Sequence, residues 1–133
     1  EALSAINPRI IYAAISGYGN SGPWMHRRAY ASVVNAETGL TGLQANARGG
    51  DLANDPHSHA DVYTGMEMAS AILAALYQRT NTNSGQYIDV SMAQTMMYVI
   101  DTLMAGRVSP VDMAGIAVAS ALWLPILQTD AGY

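Results

Sequence analysis

The 133-residue chain contains no cysteine. It therefore has no disulfide framework and no thiolate chemistry, which suits a reducing cytoplasm. Lysine is absent too: six arginines carry the basic charge, the net charge is -4, and the largest basic cluster is Arg27-Arg28. Nucleic acid and anionic membrane surfaces need a basic patch, so neither is an expected partner. Charged residues make up only 12% of the chain against 50% hydrophobic. Much of this surface must be covered, within the chain or against something else. The initiating Met is also missing, and no charged n-region leads into an apolar h-region after Glu1, which argues against a signal peptide. The length fits one domain, and the chain reads as a piece of a longer protein.

What the sequence does have is a long apolar helix pattern. From Val62 to Arg79 the only charged side chains are Glu67 and Arg79. Val62, Met66, Ala69, Leu73 and Leu76 mark one stripe, and Met68, Ile72 and Ala75 fill much of the remaining circumference. A helix this apolar is expected to be buried, and it would run about 27 Å. Asp61 stands where it begins. One reading makes Asp61 an N-cap, accepting a first-turn N–H at the positive end of the dipole. The other is that the helix holds one carboxylate at a site.

In chain order, Asn7-Pro8 signals a turn, and Arg9 to Ser16 is a short apolar run that reads as a strand buried on both faces of a parallel sheet. A glycine loop follows from Gly17 to Pro23, then an irregular stretch over 24–29. Tyr30 to Leu43 reads as one helix weakened at Gly39, and Gln44 to Pro56 as a surface loop. Beyond the apolar helix, Asn81 to Gly85 is a turn and Gln86 to Val90 an alternating strand. Ser91-x-x-Gln94 is a capping box, so a second helix should start at Ser91 and stop near Gly106. Met113 to Leu127 carries no charge but is too short to span a bilayer, and reads as a buried helix or linker with a strand starting at Pro125. The succession of elements is that of an α/β protein.

Three groups of residues carry possible chemistry. Gly17-x-Gly19-x-x-Gly22 satisfies the dinucleotide fingerprint, with Glu37 downstream, but Pro23-Trp24 is a poor helix start and favours a plain glycine turn. His57-x-His59-x-Asp61 has the residue types of a metal site, yet a zinc site needs more ligands, and only His26 remains elsewhere. No metal is therefore expected. The third is Asp61 as a nucleophile toward a thioester, held at a helix N-terminus whose N–H groups stabilise an oxyanion. Spacing alone leaves this reading and the N-cap both open.

The run NPRIIYAAISGYGNSGP, then RRAY, then HADVYTGMEMASAILAALYQRTNTNSGQYIDVSMAQTMMY resembles the family III CoA-transferases, a group that includes formyl-CoA:oxalate and carnitine CoA-transferases and α-methylacyl-CoA racemases. The likeness covers residue 7 to about 107. It implies a middle fragment of a protein roughly three times as long. Residues 1–107 would form part of a Rossmann-like large domain with few strands and buried helices, and 108–133 a linker toward a smaller domain. Subunits of the family are interlinked homodimers.

The resemblance further implies that Asp61 is the catalytic aspartate, forming an acyl anhydride and then an aspartyl-CoA thioester. Arg28 and Tyr30 would contact coenzyme A, beside the turn made by Gly17 and Gly19. Coenzyme A enters as a substrate thioester, and no separate cofactor is expected. Racemases of the group carry a His-Asp pair where this chain has Tyr30-Ala31, which favours transfer over racemisation. The expected function is CoA transfer between an acyl-CoA and a carboxylic acid in the cytoplasm. Racemisation, or a non-catalytic assembly role for the fragment, are the alternatives.

Overall fold

A computed structural model describes residues 2–108, the side chains of Arg107 and Val108 excepted. The expectations for Met113–Leu127 and Pro125, and nearly all of the expected linker, lie outside these residues. The chain divides into two compact units, Glu1–Met97 and one that begins at Tyr98. The elements are α1 (Ala2–Ile6), β1 (Ile11–Ser16), α2 (Ala31–Glu37), α3 (Leu40–Arg48), α4 (His59–Thr82), β2 (Gln86–Ser91) and α5 (Met92–Val108).

The α/β class holds: β1 and β2 pair in parallel, from Ile11 opposite Gln86 to Ser16 opposite Ser91. A parallel pair needs a crossover, and α2, α3 and α4 lie within it. α4 packs on both strands. Met68 and Ala75 from α4 meet Ile88 and Val90 from β2, with Ile11, Ala71 and Ile72 packed around them. Burying each larger side chain contributes about 1.5–3 kcal/mol as an upper estimate. Alternation along β2 puts Ile88 and Val90 under the helix and leaves Tyr87 and Asp89 exposed.

Two contacts lock the start of the sheet. The Gly85 N–H donates to the Pro8 carbonyl at 2.8 Å, and a Cβ on Gly85 would stand 1.8 Å from the Ile10 carbonyl oxygen. Only glycine fits there. At the end of α4, the Arg79 guanidinium donates from Nη1 to the Arg9 carbonyl at 3.1 Å.

β1 departs from its expected burial. Tyr12 and Ile15 are exposed, and Tyr12 stacks on Tyr87 with centroids 5.5 Å apart. Tyr12 and Tyr87 share the face turned away from α4, whereas Ile15, opposite Val90, lies on the same face as Ile11 and is exposed there. α4 is covered on one side only: Ala60, Thr64, Met68 and Ala75 are buried, whereas Val62, Met66, Leu73 (67% exposed) and Tyr77 face outward. The stripe legible in the sequence is thus the outward one, and the buried stripe is built from Ala60, Thr64 and Ala75 with one large residue, Met68.

The expected single helix over 30–43 is two helices. They break at Gly39, which has φ 95°, and the second runs on to Arg48, so the loop expected from Gln44 begins at Gly49. At Ser91 the N-terminal half of the expected capping box is present, the Gln94 N–H donating to Ser91 Oγ at 3.3 Å. Among the described residues no helix is long and apolar enough to cross a membrane.

Candidate active site

The carboxyl ends of parallel strands are where open α/β sheets place ligands, and here β1 ends in the glycine loop. The Gly17 carbonyl accepts the Ala93 N–H at 3.0 Å, tying the loop to the first turn of α5. Gly19 turns with φ 93°, its N–H donating to Ser16 Oγ at 3.0 Å. Residues 23–27 form turns rather than a helix, and α2 does not begin until Ala31. The dinucleotide reading of Gly17, Gly19 and Gly22 therefore fails, since no helix N-terminus follows the third glycine.

The rest of the loop is organised around Arg27. Its guanidinium pairs with Glu37 and lies 4.9 Å from the Trp24 ring centroid and 5.6 Å from that of Tyr18. The Tyr18 hydroxyl donates to the same Glu37 carboxylate. Burial and the neighbouring Glu37 raise the Tyr18 phenol above its usual range, against the opposing charge of Arg27. Glu37, the acid that a dinucleotide reading would assign to a ribose, is thus occupied. Arg27 is engaged within the loop, while the adjacent Arg28 is exposed and makes no ion pair among the described residues.

Tyr30 is the N-cap of α2 and is 68% exposed. Its carbonyl accepts the N–H groups of Val33 and Val34, and its ring makes no aromatic contact among the described residues. α2 packs on α4.

Asp61 lies in the first turn of α4 and is exposed. It is not the N-cap. That position belongs to Ser58, in the left-handed region with φ 48°, whose side chain makes no capping bond. A carboxylate in the first turn is still favoured by the helix dipole. No hydrogen bond or ion pair among the described residues joins Asp61 to Arg28 or Tyr30.

The His57-x-His59-x-Asp61 grouping is replaced by a different one. Both imidazoles meet Asp55, the His57 Nδ1 at 3.1 Å from Oδ1 and the His59 Nδ1 against Oδ2. Gln44 Nε2 donates to Oδ2 at 2.8 Å and the His57 backbone N–H to Oδ1 at 2.9 Å. These hydrogen bonds, Gln44 foremost and then the His57 N–H, hold the Asp55 carboxyl well below the usual carboxylate range despite burial. The sequence signal was Asp-Pro followed by His at +2. An Asp side chain commonly accepts the N–H two residues on. Among the described residues no group of three His, Cys, Asp or Glu is arranged to hold a metal ion.

Residues 1–121 match CoA-transferase family III. The chain belongs to that family. Among family III relatives it is 33% identical over 103 residues to the succinyl-CoA–L-malate CoA-transferase β subunit of Chloroflexus aurantiacus, covering 77% of this chain and 25% of that one. It is 40% identical over 97 residues to formyl-CoA:oxalate CoA-transferase of Streptomyces avermitilis, covering 73% and 23%. The fold is similar to that of a crystal structure of a hypothetical protein from Mycobacterium tuberculosis, with TM-score 0.68 and 28% identity, over 81% of this chain and 30% of the other. The chain spans about a quarter of the length of the curated relatives it matches.

Proposed function

We propose that this chain is a segment of an enzyme that transfers coenzyme A from an acyl-CoA to a carboxylic acid, with Asp61 as the nucleophile. The observation that carries this is an exposed carboxylate in the first turn of a 24-residue helix, within a chain of CoA-transferase family III. The Asp61 carboxylate attacks the thioester carbonyl and expels CoA thiolate, leaving a mixed anhydride. The thiolate then attacks the aspartyl carbonyl and releases the first acid, leaving aspartyl-CoA. The acceptor carboxylate attacks that thioester, and the expelled thiolate takes the acceptor acyl group, which restores Asp61.

Arg28, which makes no ion pair among the described residues, supplies positive charge for coenzyme A, and Tyr30 supplies an exposed ring at the same pocket beside Gly17 and Gly19. No cofactor is needed beyond the substrate thioester. Acceptors are small carboxylic acids, the class named for the relatives above. In the full-length enzyme residues 1–107 belong to the large domain and 108–133 lead toward a smaller one. Two such subunits interlink, and the enzyme acts in the cytoplasm.

The test is trapping. Full-length enzyme given an acyl-CoA and then hydroxylamine should carry a hydroxamate at Asp61, and Asp61→Ala should abolish transfer without unfolding the protein. A hydroxamate found on another residue would sink the assignment.

A further inference from the structure

Asp55 has a role that the proposed chemistry leaves unassigned. Its side chain is 4% exposed, and its two oxygens receive the Gln44 amide, the His57 N–H and both imidazoles. A carboxylate has about four lone-pair sites, so it is fully engaged. The donors come from three places: α3, the loop that precedes α4, and His59, the first residue of α4. The His59 ring also stacks on Tyr63, centroids 5.6 Å apart and planes 19° from parallel.

This arrangement stands where a capping side chain is missing. Ser58 does not cap α4 and sits at φ 48° and ψ 46°, a conformation that costs a non-glycine residue about 1–2 kcal/mol. Such backbone persists where its surroundings over-determine it. Here Asp55 bonds both chain neighbours of Ser58, His57 and His59, and the His59 ring stacks on Tyr63. Together these contacts fix where the first turn of α4 begins, two residues before Asp61.

We propose that Asp55, acting through His59, is a positioning residue for Asp61: it sets the start of α4 and so the place from which the nucleophile attacks. The proposal rests on the reading of Asp61 given above. Misplacing a reacting group by about 1 Å costs on the order of 100-fold in rate. The loss should fall on kcat, because Arg28 and Tyr30 lie on a different segment.

The experiment uses the full-length enzyme and three His59 variants. An Asn amide stands about where Nδ1 does and keeps the bond to Asp55, whereas a Gln amide reaches the Nε2 position and Ala has no donor. His59→Ala and His59→Gln should lower kcat about 10-fold or more, with KM for the CoA donor within about 2-fold, and His59→Asn should recover most of the loss. Amide hydrogen exchange at Val62, whose N–H donates to the Ser58 carbonyl at 3.1 Å, measured without substrate, should quicken in His59→Ala and His59→Gln and not in His59→Asn. If His59→Ala does not fold, the Asn–Gln pair decides alone. Equal activity in Asn and Gln variants, or unchanged exchange in both, overturns the proposal. Normal transfer by Asp61→Ala instead brings down the reaction reading, and the proposal with it, whatever the exchange data show.

Discussion

Gly17 at the end of β1 lies directly against Ala29, just ahead of the segment bearing Tyr30: a Cβ on Gly17 would stand 2.2 Å from the Ala29 Cβ. Neither atom is the end of a flexible chain, so backbone has to move to admit a methyl group. Gly17→Ala should destabilise the full-length enzyme by about 1–3 kcal/mol and raise KM for the CoA donor by displacing Arg28 and Tyr30. Ala29→Gly removes the atom that is struck and leaves the next neighbours at 3.6 and 3.8 Å. The double variant should therefore recover most of both losses in a thermal-unfolding and kinetic cycle. Strictly additive effects would show that the contact is not the cause.

Arg28 and Arg27 are adjacent but not equivalent, because Arg27 is held by Glu37 and two rings. Arg28→Ala should raise KM for the CoA donor with little change in kcat, as expected when binding common to ground and transition states is lost. Arg27→Ala should act mainly on stability. Steady-state kinetics of both variants check this, and an unchanged KM in Arg28→Ala would reduce Arg28 to a surface charge.

Asp55 makes acid stability predictable in sign. Its folded-state pKa is depressed, so the unfolded chain binds the proton more readily. The stability it contributes is present above the unfolded value of about 4 and drains away as pH falls below that toward the folded value. Asp55→Asn should flatten this part of the stability–pH curve between about pH 4 and pH 2 and lower stability at pH 7. Equilibrium denaturation across that range measures it, and parallel curves for the two proteins would remove Asp55 from the account.

The outward faces make a prediction about the 133-residue chain on its own. Val62, Met66, Leu73 and Tyr77 on α4 and Tyr12 and Ile15 on β1 are exposed, and among the described residues the two-stranded sheet has unpaired edges, a combination that invites association. Sedimentation should find oligomers or aggregates, and the chain should show no CoA transfer. A compact monomer that binds coenzyme A at micromolar concentration would contradict this.

Much of the scaffold was legible because it follows local rules. β2 alternates, β1 is a short apolar run bounded by turns, and Ser91 with Gln94 announces α5. The proposed role of Asp61 rests on family resemblance, since a first-turn carboxylate satisfies a helix dipole whether or not it reacts. Other features hid for physical reasons. The break at Gly39 depends on a positive φ that the flanking helix-forming residues do not reveal. Asp55 looked like part of a polar turn, and what distinguishes it is Gln44 arriving from α3, a contact that spacing along the chain does not encode. α4 was expected to be buried because it is apolar nearly all round, yet Val62, Met66 and Leu73 are exposed; large apolar residues do not say where their cover lies.

The parallel pairing of β1 with β2 has a consequence for synthesis. Ile11 meets Gln86, about 75 positions later, so the sheet is a long-range contact that forms late. At ribosomal speeds of about 5–20 residues per second, β1 waits roughly 4 to 15 s for its partner to be made. During that interval the edge of β1 that takes β2 is unsatisfied, and α4 emerges before the β1–β2 pair it packs on exists. This edge is therefore exposed until residue 86 appears, and a chaperone that shields residues 10–16 would act in that window.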